Sequence, residues 1–301
     1  MKTNKIFISA FAMSLAFVSF TSCSSDGGSS LPPIGGYNNA GEVGATDLVA
    51  YWPLNGNGKE SISNTSPSAT IGASYADAVK GDGLVLTDGY LAFPEITALS
   101  TSMASMSISL WAKISNNGGA GADGHPTMLF SLTRPNEWAG NFNLMSETGW
   151  RSVASDTLVI KGLSVIKNGD GSANFQDIIN TTNPSVDDIA AGHVGAACKN
   201  GGAWAHYVIT WDSTTALFKV YANGQKISNP VWESRNGGTA LPLNFFTPAK
   251  PVIGTFGSVV AGTPDSWQRP MNGSIDEIRV WKKTLSAADI NSLYELESAG
   301  R

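Results

Sequence analysis

The stretch Trp204-Ala-His-Tyr-Val-Ile-Thr-Trp-Asp212 and, four residues later, Leu217-Phe-Lys-Val-Tyr-Ala-Asn-Gly224 decide the fold class of this chain. Both are rich in the aromatic and β-branched residues that favour strands over helices. Asn223-Gly224 supplies the positive φ angles that a tight turn requires, so a further short strand is expected after it. The two stretches therefore predict successive strands joined by tight turns.

Similar short runs, separated by Gly, Asn and Asp, continue from Asp47 to the C-terminal region. The segment 106–114 alternates apolar and polar residues, as a half-buried strand does. Asp88-Gly89 lies between the apolar runs 84–86 and 90–93, which predicts a hairpin turn there. Further strands are predicted at 48–54, 128–132, 142–144, 157–166, 251–253 and 274–281.

One helix is predicted, at the C-terminal end. Ser286 is a suitable N-cap with Asp289 three residues on, and Ile290, Leu293 and Leu296 follow at helical spacing. Many short strands over roughly 250 residues, without alternating helices, predict a single large all-β sandwich.

Three segments in this order resemble the concanavalin A-like sandwich, in its laminin-G-like branch. They are Asp47-Leu-Val-Ala-Tyr-Trp-Pro-Leu54, the opening pair of stretches, and Met271-Asn-Gly-Ser-Ile-Asp-Glu-Ile-Arg-Val-Trp281. The resemblance covers most of residues 47–297 and implies a jelly-roll sandwich of two antiparallel sheets with a short C-terminal helix. It does not decide the function, because this fold carries lectins, glycanases, adhesins and structural modules.

The tryptophans within predicted strands are expected to fill the interior. Trp111, Trp211 and Trp281 belong to this group. His206 alternates with Trp204 on one strand face, which favours a hydrogen-bonded packing role over a catalytic one.

The N-terminal residues have the layout of an export signal. Lys2 and Lys5 precede an apolar run over 6–20, which is too short to span a membrane comfortably. Small residues then precede Cys23, and this resembles the lipobox of bacterial lipoproteins. An ordinary cleaved signal with an incidental cysteine is the alternative.

The following Ser24-Ser25-Asp26-Gly27-Gly28 resembles the short export signal of Bacteroidetes surface lipoproteins, so the two resemblances together imply a lipoprotein of that type. Its signal peptide would comprise residues 1–22, and lipid on Cys23 would anchor the protein in the outer membrane, facing the cell exterior. Residues 23–46, which are rich in Gly, Ser, Pro and Asn, predict a flexible linker, and residues 47–301 a single domain.

Composition excludes some classes of partner. Removal of residues 1–22 leaves 17 basic and 24 acidic residues, a net charge of −7. Such a chain lacks the basic field that nucleic-acid binding needs. If Cys23 carries lipid, Cys198 is the remaining cysteine, so no intramolecular disulfide is expected and Cys198 is predicted to be a small buried side chain.

A glycanase of this fold needs two nearby carboxylates. The resemblance implies that in glucanases of this fold both carboxylates come from one strand with the sequence E-x-D-x-E or E-x-D-x-x-E. In this chain Ser274 occupies the position of the first Glu. Asp276 and Glu277 are adjacent, so on a regular strand they face opposite sides. This pair is therefore not found, although carboxylates on loops could still meet in space.

Carbohydrate recognition combines aromatic faces with groups that bond hydroxyls. Trp138, Trp150 and Trp267 lie outside the matched strands, and Arg151 and Arg269 lie close to two of them. Because loops on a rigid sandwich are frequent binding sites, these five residues are the predicted ligand-binding set. The alternative is that each loop tryptophan packs against the end of the sandwich.

A calcium ion is also expected from the resemblance, because members of this fold often bind one through hard oxygen ligands. Asp276 in the closing motif is the main candidate, with Asp47 and Asp82 as further ones. Alternatively, Asp276 caps a turn or pairs with Arg279. Zinc is not expected, since no His or Cys cluster has the required spacing.

The sequence thus predicts a non-catalytic surface lipoprotein that binds a glycan or glycoprotein, for glycan capture or adhesion. A protein-binding adhesion or assembly module and a divergent glycoside hydrolase are the alternatives. A loop-tryptophan cluster in a concave patch would favour the first, a broad flat apolar patch the second, and carboxylates about 5 to 9 Å apart the third.

Overall fold

The computed structural model describes residues 31–181 and 195–301, so the predicted signal peptide and Cys23 lie outside the described residues. The strands are β1 (Leu48–Trp52), β2 (Ala69–Asp77), β3 (Asp82–Ala92), β4 (Met106–Lys113), β5 (Thr127–Leu132), β6 (Phe142–Ser146), β7 (Ile160–Lys167), β8 (Ala173–Ile179), β9 (Trp204–Asp212), β10 (Leu217–Ala222), β11 (Gln225–Lys226), β12 (Pro251–Ile253) and β13 (Met271–Trp281). The helices are α1 (Thr97–Ser100), α2 (Pro230–Glu233), α3 (Gly257–Val260) and α4 (Ala287–Ser298). Within these ranges no helix is both long and apolar enough to cross a membrane.

The strands form a curled antiparallel sheet with two facing layers. Its order is β11-β10-β9-β4-β13-β3-β12-β5-β6-β7-β8, with β1 also paired to β13 and β2 to β3. β12 joins the layers, because it pairs with β3 on one side and with β5 on the other. The predicted jelly-roll fold is confirmed, and its two layers are continuous through β12.

Apolar side chains from the two layers meet in the main core. Phe218 of β10 stacks on Phe142 of β6 with ring centroids 5.5 Å apart. Trp211 meets Phe218 edge-on at 5.4 Å, and Cys198 is buried in the same cluster. The burial predicted for Trp211 and Cys198 is therefore confirmed.

The predicted hairpin at Asp88-Gly89 is wrong, because β3 runs through this position without reversing. Asp88 does have a positive φ of 43°, as a turn residue would. Its backbone N–H donates to Asn272 Oδ1 at 2.9 Å, and the register of the neighbouring strand β2 shifts at Gly72. The unusual backbone is thus a bulge that bends the strand pair.

The predicted flexible linker does not hold for residues 33–46, which pack against the domain. Ala40 and Val43 are buried in a second apolar cluster, together with Trp281 and the inner face of α4. Trp281 Nε1 donates to the Val43 carbonyl at 3.0 Å. The Gly, Ser, Pro and Asn content predicted a flexible linker, but the few apolar residues of this segment pack against the domain and hold it in place.

Helix α4 begins where the sequence predicts it. Ser286 and Asp289 form a capping box, in which Ser286 Oγ accepts from the Asp289 N–H at 3.1 Å. Ile290, Leu293 and Leu296 are fully buried against the outer side of the sheet. The helix therefore covers β4, β9 and β13 from outside.

Buried charges connect α4 to the sheet. Arg279 of β13 pairs with Glu297 of α4 and, at 2.6 Å, with Glu277 of its own strand. Glu297 also accepts from Trp111 Nε1 at 2.7 Å, and the Tyr51 hydroxyl donates to Glu277 at 2.8 Å. The carboxylates and guanidinium are at most 2% exposed, so each depends on these partners.

His206 borders this network as a neutral side chain. Its Nε2 lies 2.7 Å from Ser109 Oγ, and it is fully buried next to Trp111. Burial, together with nearby Arg279, lowers the pKa of His206 to about 3. The packing role predicted for His206 is confirmed, and so is the burial predicted for Trp111.

Glycines let the loops after β4 and β6 meet backbone to backbone. A Cβ on Gly118 would collide with the Gly149 carbonyl oxygen, and a Cβ on Gly149 would lie 2.6 Å from the His125 nitrogen. The Gly118 N–H donates to the Arg151 carbonyl at 3.0 Å. The loops are thereby held together at one end of β4.

We predict that Glu297→Ala lowers the free energy of unfolding by about 3–5 kcal/mol, because it leaves Arg279 with an uncompensated buried charge. Urea denaturation measures the change. Glu295→Ala, on the exposed face of the same helix, is the matched control and should change stability by less than about 0.5 kcal/mol. Equal effects of the two substitutions would contradict the role given to the buried ion network.

Gly149→Ala should cost about 1–3 kcal/mol, because the added methyl group forces the two loops apart. Thermal unfolding measures this against Gly169→Ala, where an added Cβ meets no atom within 4 Å. The loop contact is refuted if both variants melt at the same temperature as the parent.

Candidate functional site

A polar cavity of about 450 Å³ opens where β4 ends and β13 begins. We call it the polar cavity. Its lining comprises Lys113, Ile114, Ser115, Asn116, Asn117, His125, Thr127, Gly202, Asn272, Gly273 and Ser274. These side chains offer amides, hydroxyls, an imidazole and an ammonium group, which are the groups that hydrogen-bond sugar hydroxyls.

Two neighbouring asparagines are held in fixed orientations on the cavity wall. Asn117 Oδ1 accepts from the His125 N–H at 3.1 Å. Asn116 Nδ2 donates to the carbonyls of Ser155 and Thr157 at 2.8 and 2.9 Å. These donors leave Asn116 Oδ1 buried without a partner among the described residues. This acceptor has no exposed surface, so it lies next to the cavity without being open to it.

The cavity carries little acid chemistry. Among the described residues that line it there is no Asp or Glu. The adjacent pair on β13 is engaged elsewhere: Asp276 accepts from the N–H groups of Val79 and Lys80 at 3.1 and 3.0 Å, while Glu277 binds Arg279. Neither arrangement provides the two facing carboxylates of a retaining glycanase.

Three of the predicted ligand-binding residues lie on the loops that border the polar cavity. Trp150 is 45% exposed, and Arg151 next to it contacts the Gly118 N–H through its carbonyl. Arg269 forms an ion pair at 2.5 Å with Asp123, whose carbonyl oxygen lies 2.7 Å from Nδ1 of the cavity residue His125.

The other two predicted residues pack against each other. Trp138 and Trp267 meet edge-on with ring centroids 5.1 Å apart, and Trp267 also meets Phe256 at 5.4 Å. Both are half-buried over the outer side of the second layer, against Met145 and other apolar residues. This geometry matches the alternative in which loop tryptophans cover the sandwich.

The three predicted calcium ligands do not meet at one point, although β3 brings Asp82 close to Asp276: a Cβ on Gly83, the residue after Asp82, would lie 3.4 Å from Asp276 Cβ. Asp47 precedes β1 and lies 3.8 Å from Lys283. Since the Lys282 N–H donates to the Asp47 carbonyl, Asp47 is separated from Asp276 by about six residues of β13, roughly 20 Å. Asp82 starts β3 and its N–H donates to Asn55. No cluster of three or more His, Cys, Asp or Glu suited to a metal occurs in the described ranges.

Asp276 itself anchors a turn. Besides Val79 and Lys80, it accepts from the Glu277 N–H at 2.9 Å. Burial raises the pKa of Asp276 to about 7, although the N–H groups oppose this shift. The backbone donors account for this buried side chain, and calcium binding remains a prediction of the resemblance.

Several lining residues were not identified from the sequence. Asn116, Asn117 and His125 lie in Gly/Asn-rich loops without a motif. The one feature of the sequence that relates to this site is the presence of Gly118, Gly124 and Gly149, which lets the two loops approach closely. The sequence does not show which loops meet, so these glycines could not identify the cavity in advance.

Comparison with known proteins bears on the fold. The family model Laminin_G_3, described as concanavalin A-like lectin/glucanases superfamily, matches residues 86–291. No curated protein matches the sequence.

Solved structures include similar domains. The binding domain of botulinum neurotoxin serotype C1 is 17% identical with a TM-score of 0.53, covering 85% of this chain and 53% of that chain. The ligand-binding domain of serotype D, in complex with N-acetylneuraminic acid, is 16% identical with a TM-score of 0.50, covering 84% of this chain and 52% of that chain. Domain 4 of AbnA, a GH43 extracellular arabinanase from Geobacillus stearothermophilus, in complex with arabinotriose, is 19% identical with a TM-score of 0.47, covering 82% of this chain and 98% of that chain.

The chain spans about half the length of the two toxin chains. At such identities the similarity shows a common fold and nothing about the ligand. The family match covers more than half of the chain and agrees with the curled antiparallel sheet and its C-terminal helix. This chain belongs to the concanavalin A-like lectin/glucanases superfamily.

Proposed function

We propose that this chain is a non-catalytic carbohydrate-binding protein whose ligand occupies the polar cavity. The observation that carries the proposal is the lining of that cavity, which combines amides, hydroxyls and one lysine without any carboxylate among its described residues. Such a lining can bond sugar hydroxyls but lacks the acid and nucleophile of glycoside hydrolysis.

Size and polarity agree with a short oligosaccharide. The cavity volume of about 450 Å³ falls within the range of roughly 300–1,000 Å³ that small-ligand sites occupy. Exposed Lys113 provides a donor at the mouth of the cavity, and the exposed Ser115 hydroxyl there can both donate and accept. A sugar needs both, because each hydroxyl donates and accepts.

Trp150 supplies an exposed aromatic side chain on the loop after β6, and the backbone of the preceding Gly149 lies against the cavity residue His125. The Trp150 side chain is 45% exposed although it is large and apolar. We assign to it the stacking role that pyranose rings require, and to Trp138 and Trp267 a packing role. A toxin domain of similar fold is known in complex with N-acetylneuraminic acid, so this fold can accommodate a sugar.

We also propose that the protein is a lipoprotein of the outer membrane, facing the exterior, with lipid on Cys23. The supporting observations are Lys2, Lys5 and the apolar run that precedes Cys23. In this position the domain would serve glycan capture or adhesion.

Trp150→Ala should weaken binding of the best glycan found on an array by about 1–3 kcal/mol, if sugar stacking resembles base stacking in magnitude. Isothermal titration calorimetry measures affinity, and thermal unfolding confirms that the fold is intact. Ile71→Ala is the matched control, since Ile71 is a large apolar residue with 47% exposure on β2. Loss of binding in the control variant with none in Trp150→Ala would reject the assigned site, and failure of all glycans to bind would favour the protein-binding alternative.

Cys23→Ala should leave the precursor uncleaved or release the protein from the membrane, because several acyl chains are needed for stable anchoring. Fractionation and incorporation of labelled palmitate measure this, with Cys198→Ala as the matched control. A Cys23→Ala protein that is still trimmed and membrane-bound would disprove lipidation at this residue.

A further inference from the structure

Many asparagines of this chain are followed directly by glycine. These Asn-Gly pairs begin at Asn55, Asn57, Asn117, Asn168, Asn200, Asn223, Asn236 and Asn272. Such a pair can lose ammonia without an enzyme, because glycine has no side chain to keep its backbone nitrogen away from the asparagine Cγ. The reaction requires the side-chain amide to rotate until Cγ faces that nitrogen, and it requires the nitrogen to be free. The folded structure therefore decides which pairs can react.

Most of these side chains are held through their own carbonyl oxygen. In each case Oδ1 accepts from a backbone N–H at 2.9 to 3.1 Å; the residues are Asn55 (from Asp82), Asn57 (from Lys59), Asn117 (from His125), Asn223 (from His206) and Asn272 (from Asp88). Asn117 and Asn272 line the polar cavity. The bonds that orient these cavity amides therefore also oppose their rotation.

The glycine nitrogen is engaged in two of the pairs. The N–H of Gly201, which follows Asn200, donates to the Asp156 carbonyl at 2.8 Å. The N–H of Gly118, which follows Asn117, donates to the Arg151 carbonyl at 3.0 Å. A nitrogen whose hydrogen is bonded in this way is a poor nucleophile. Asn200 thus joins the held pairs, and Asn168 and Asn236 remain.

Asn236 has the most freedom of these two. It is exposed, as are Gly237 and Gly238, and a Cβ on either glycine would meet no atom within 4 Å. Its side chain makes one bond, from Nδ2 to the Thr239 carbonyl at 3.2 Å. Among the described residues neither Asn236 Oδ1 nor the Gly237 N–H has a hydrogen-bond partner. Both requirements of the reaction are therefore met at this pair.

Asn168 is more restricted. It is half-buried, and its Nδ2 donates to Ser172 Oγ at 2.9 Å. Its backbone is closed into a turn, because the Asn168 N–H donates to the Ser172 carbonyl at 2.9 Å. This pair should react second.

We propose that Asn236 is a site of spontaneous deamidation in the folded protein. The Gly237 nitrogen attacks Cγ of Asn236, the Cγ–Nδ2 bond breaks, and Nδ2 leaves as ammonia with the proton that the Gly237 nitrogen gives up. The five-membered succinimide takes up one water molecule and opens at either carbonyl. Aspartate or isoaspartate then occupies position 236, and the surface gains one negative charge.

The site is separate from the polar cavity. Ser234 bridges Leu217 of β10, which pairs with Asp212 at the C-terminal end of β9. The N-terminal end of β9 pairs with the cavity residue Lys113 through Trp204. Deamidation at Asn236 therefore occurs at the other end of these strands, and the inference does not depend on the function proposed for the cavity.

The inference is tested by incubating the whole protein at mildly alkaline pH and mapping its peptides by mass spectrometry. Asn236 should convert first, about fivefold or more faster than any of the held pairs, because the loss of one hydrogen bond changes a rate by a factor of this order. In urea, where the fold is lost, all the Asn-Gly pairs should convert at similar rates. Even conversion of the pairs in the folded protein, or a first conversion elsewhere, would overturn the inference.

Variants at the two free pairs provide a second test. Asn236→Gln should remove the first acidic species that ion-exchange chromatography detects, because glutamine would have to close a larger ring. Asn168→Gln is the matched control and should leave that species in place. Persistence of the species in Asn236→Gln, or its loss in Asn168→Gln, would contradict the assignment.

Discussion

The buried pairing of Arg279 with Glu277 and Glu297 is the interaction on which the rest of the structure depends. Two carboxylates and a guanidinium cannot lose their hydration unless each finds partners, so α4 must lie where Glu297 reaches β13. Once α4 is fixed there, its apolar face has only one place to pack. The segment 33–46 then covers the remaining apolar surface with Ala40 and Val43. The buried ion pairs therefore determine where α4 packs, and their net contribution to the free energy of unfolding is a separate matter.

The same strand links this network to the polar cavity. Residues 277–279 of β13 hold the ion pairs, whereas residues 272–274 of its other end line the cavity. The register shift between Asp276 and Arg279 lies between these two regions, and Asp276 anchors the turn at residues 79–80 there. The cavity wall is consequently attached to the strand that carries the ion network, while its rim consists of the loops after β4 and β6, which backbone hydrogen bonds and close glycine contacts hold together.

Much of the fold could be predicted from sequence because it is encoded locally. The alternation of apolar and polar residues in 106–114 and the Ser286 capping box are each complete within a few residues. The strand is found where the alternation predicts it, but both of its faces are buried, because α4 covers the side expected to face solvent. The continuity of β3 through Asp88 was not predictable, since it depends on the distant Asn272 side chain. The candidate site was predicted only in part. Trp150 is exposed, as a binding residue should be, whereas Trp138 and Trp267 pack against each other although they are far apart in the sequence.

The central claim is that a glycan binds in the polar cavity. The most direct measurement is a crystal structure of the protein with the strongest glycan found by array screening. The account predicts ligand density between Lys113 and Asn116, with a sugar ring against Trp150 and hydroxyls bonded to the cavity amides. Density against Trp138 and Trp267 with the polar cavity empty would contradict it.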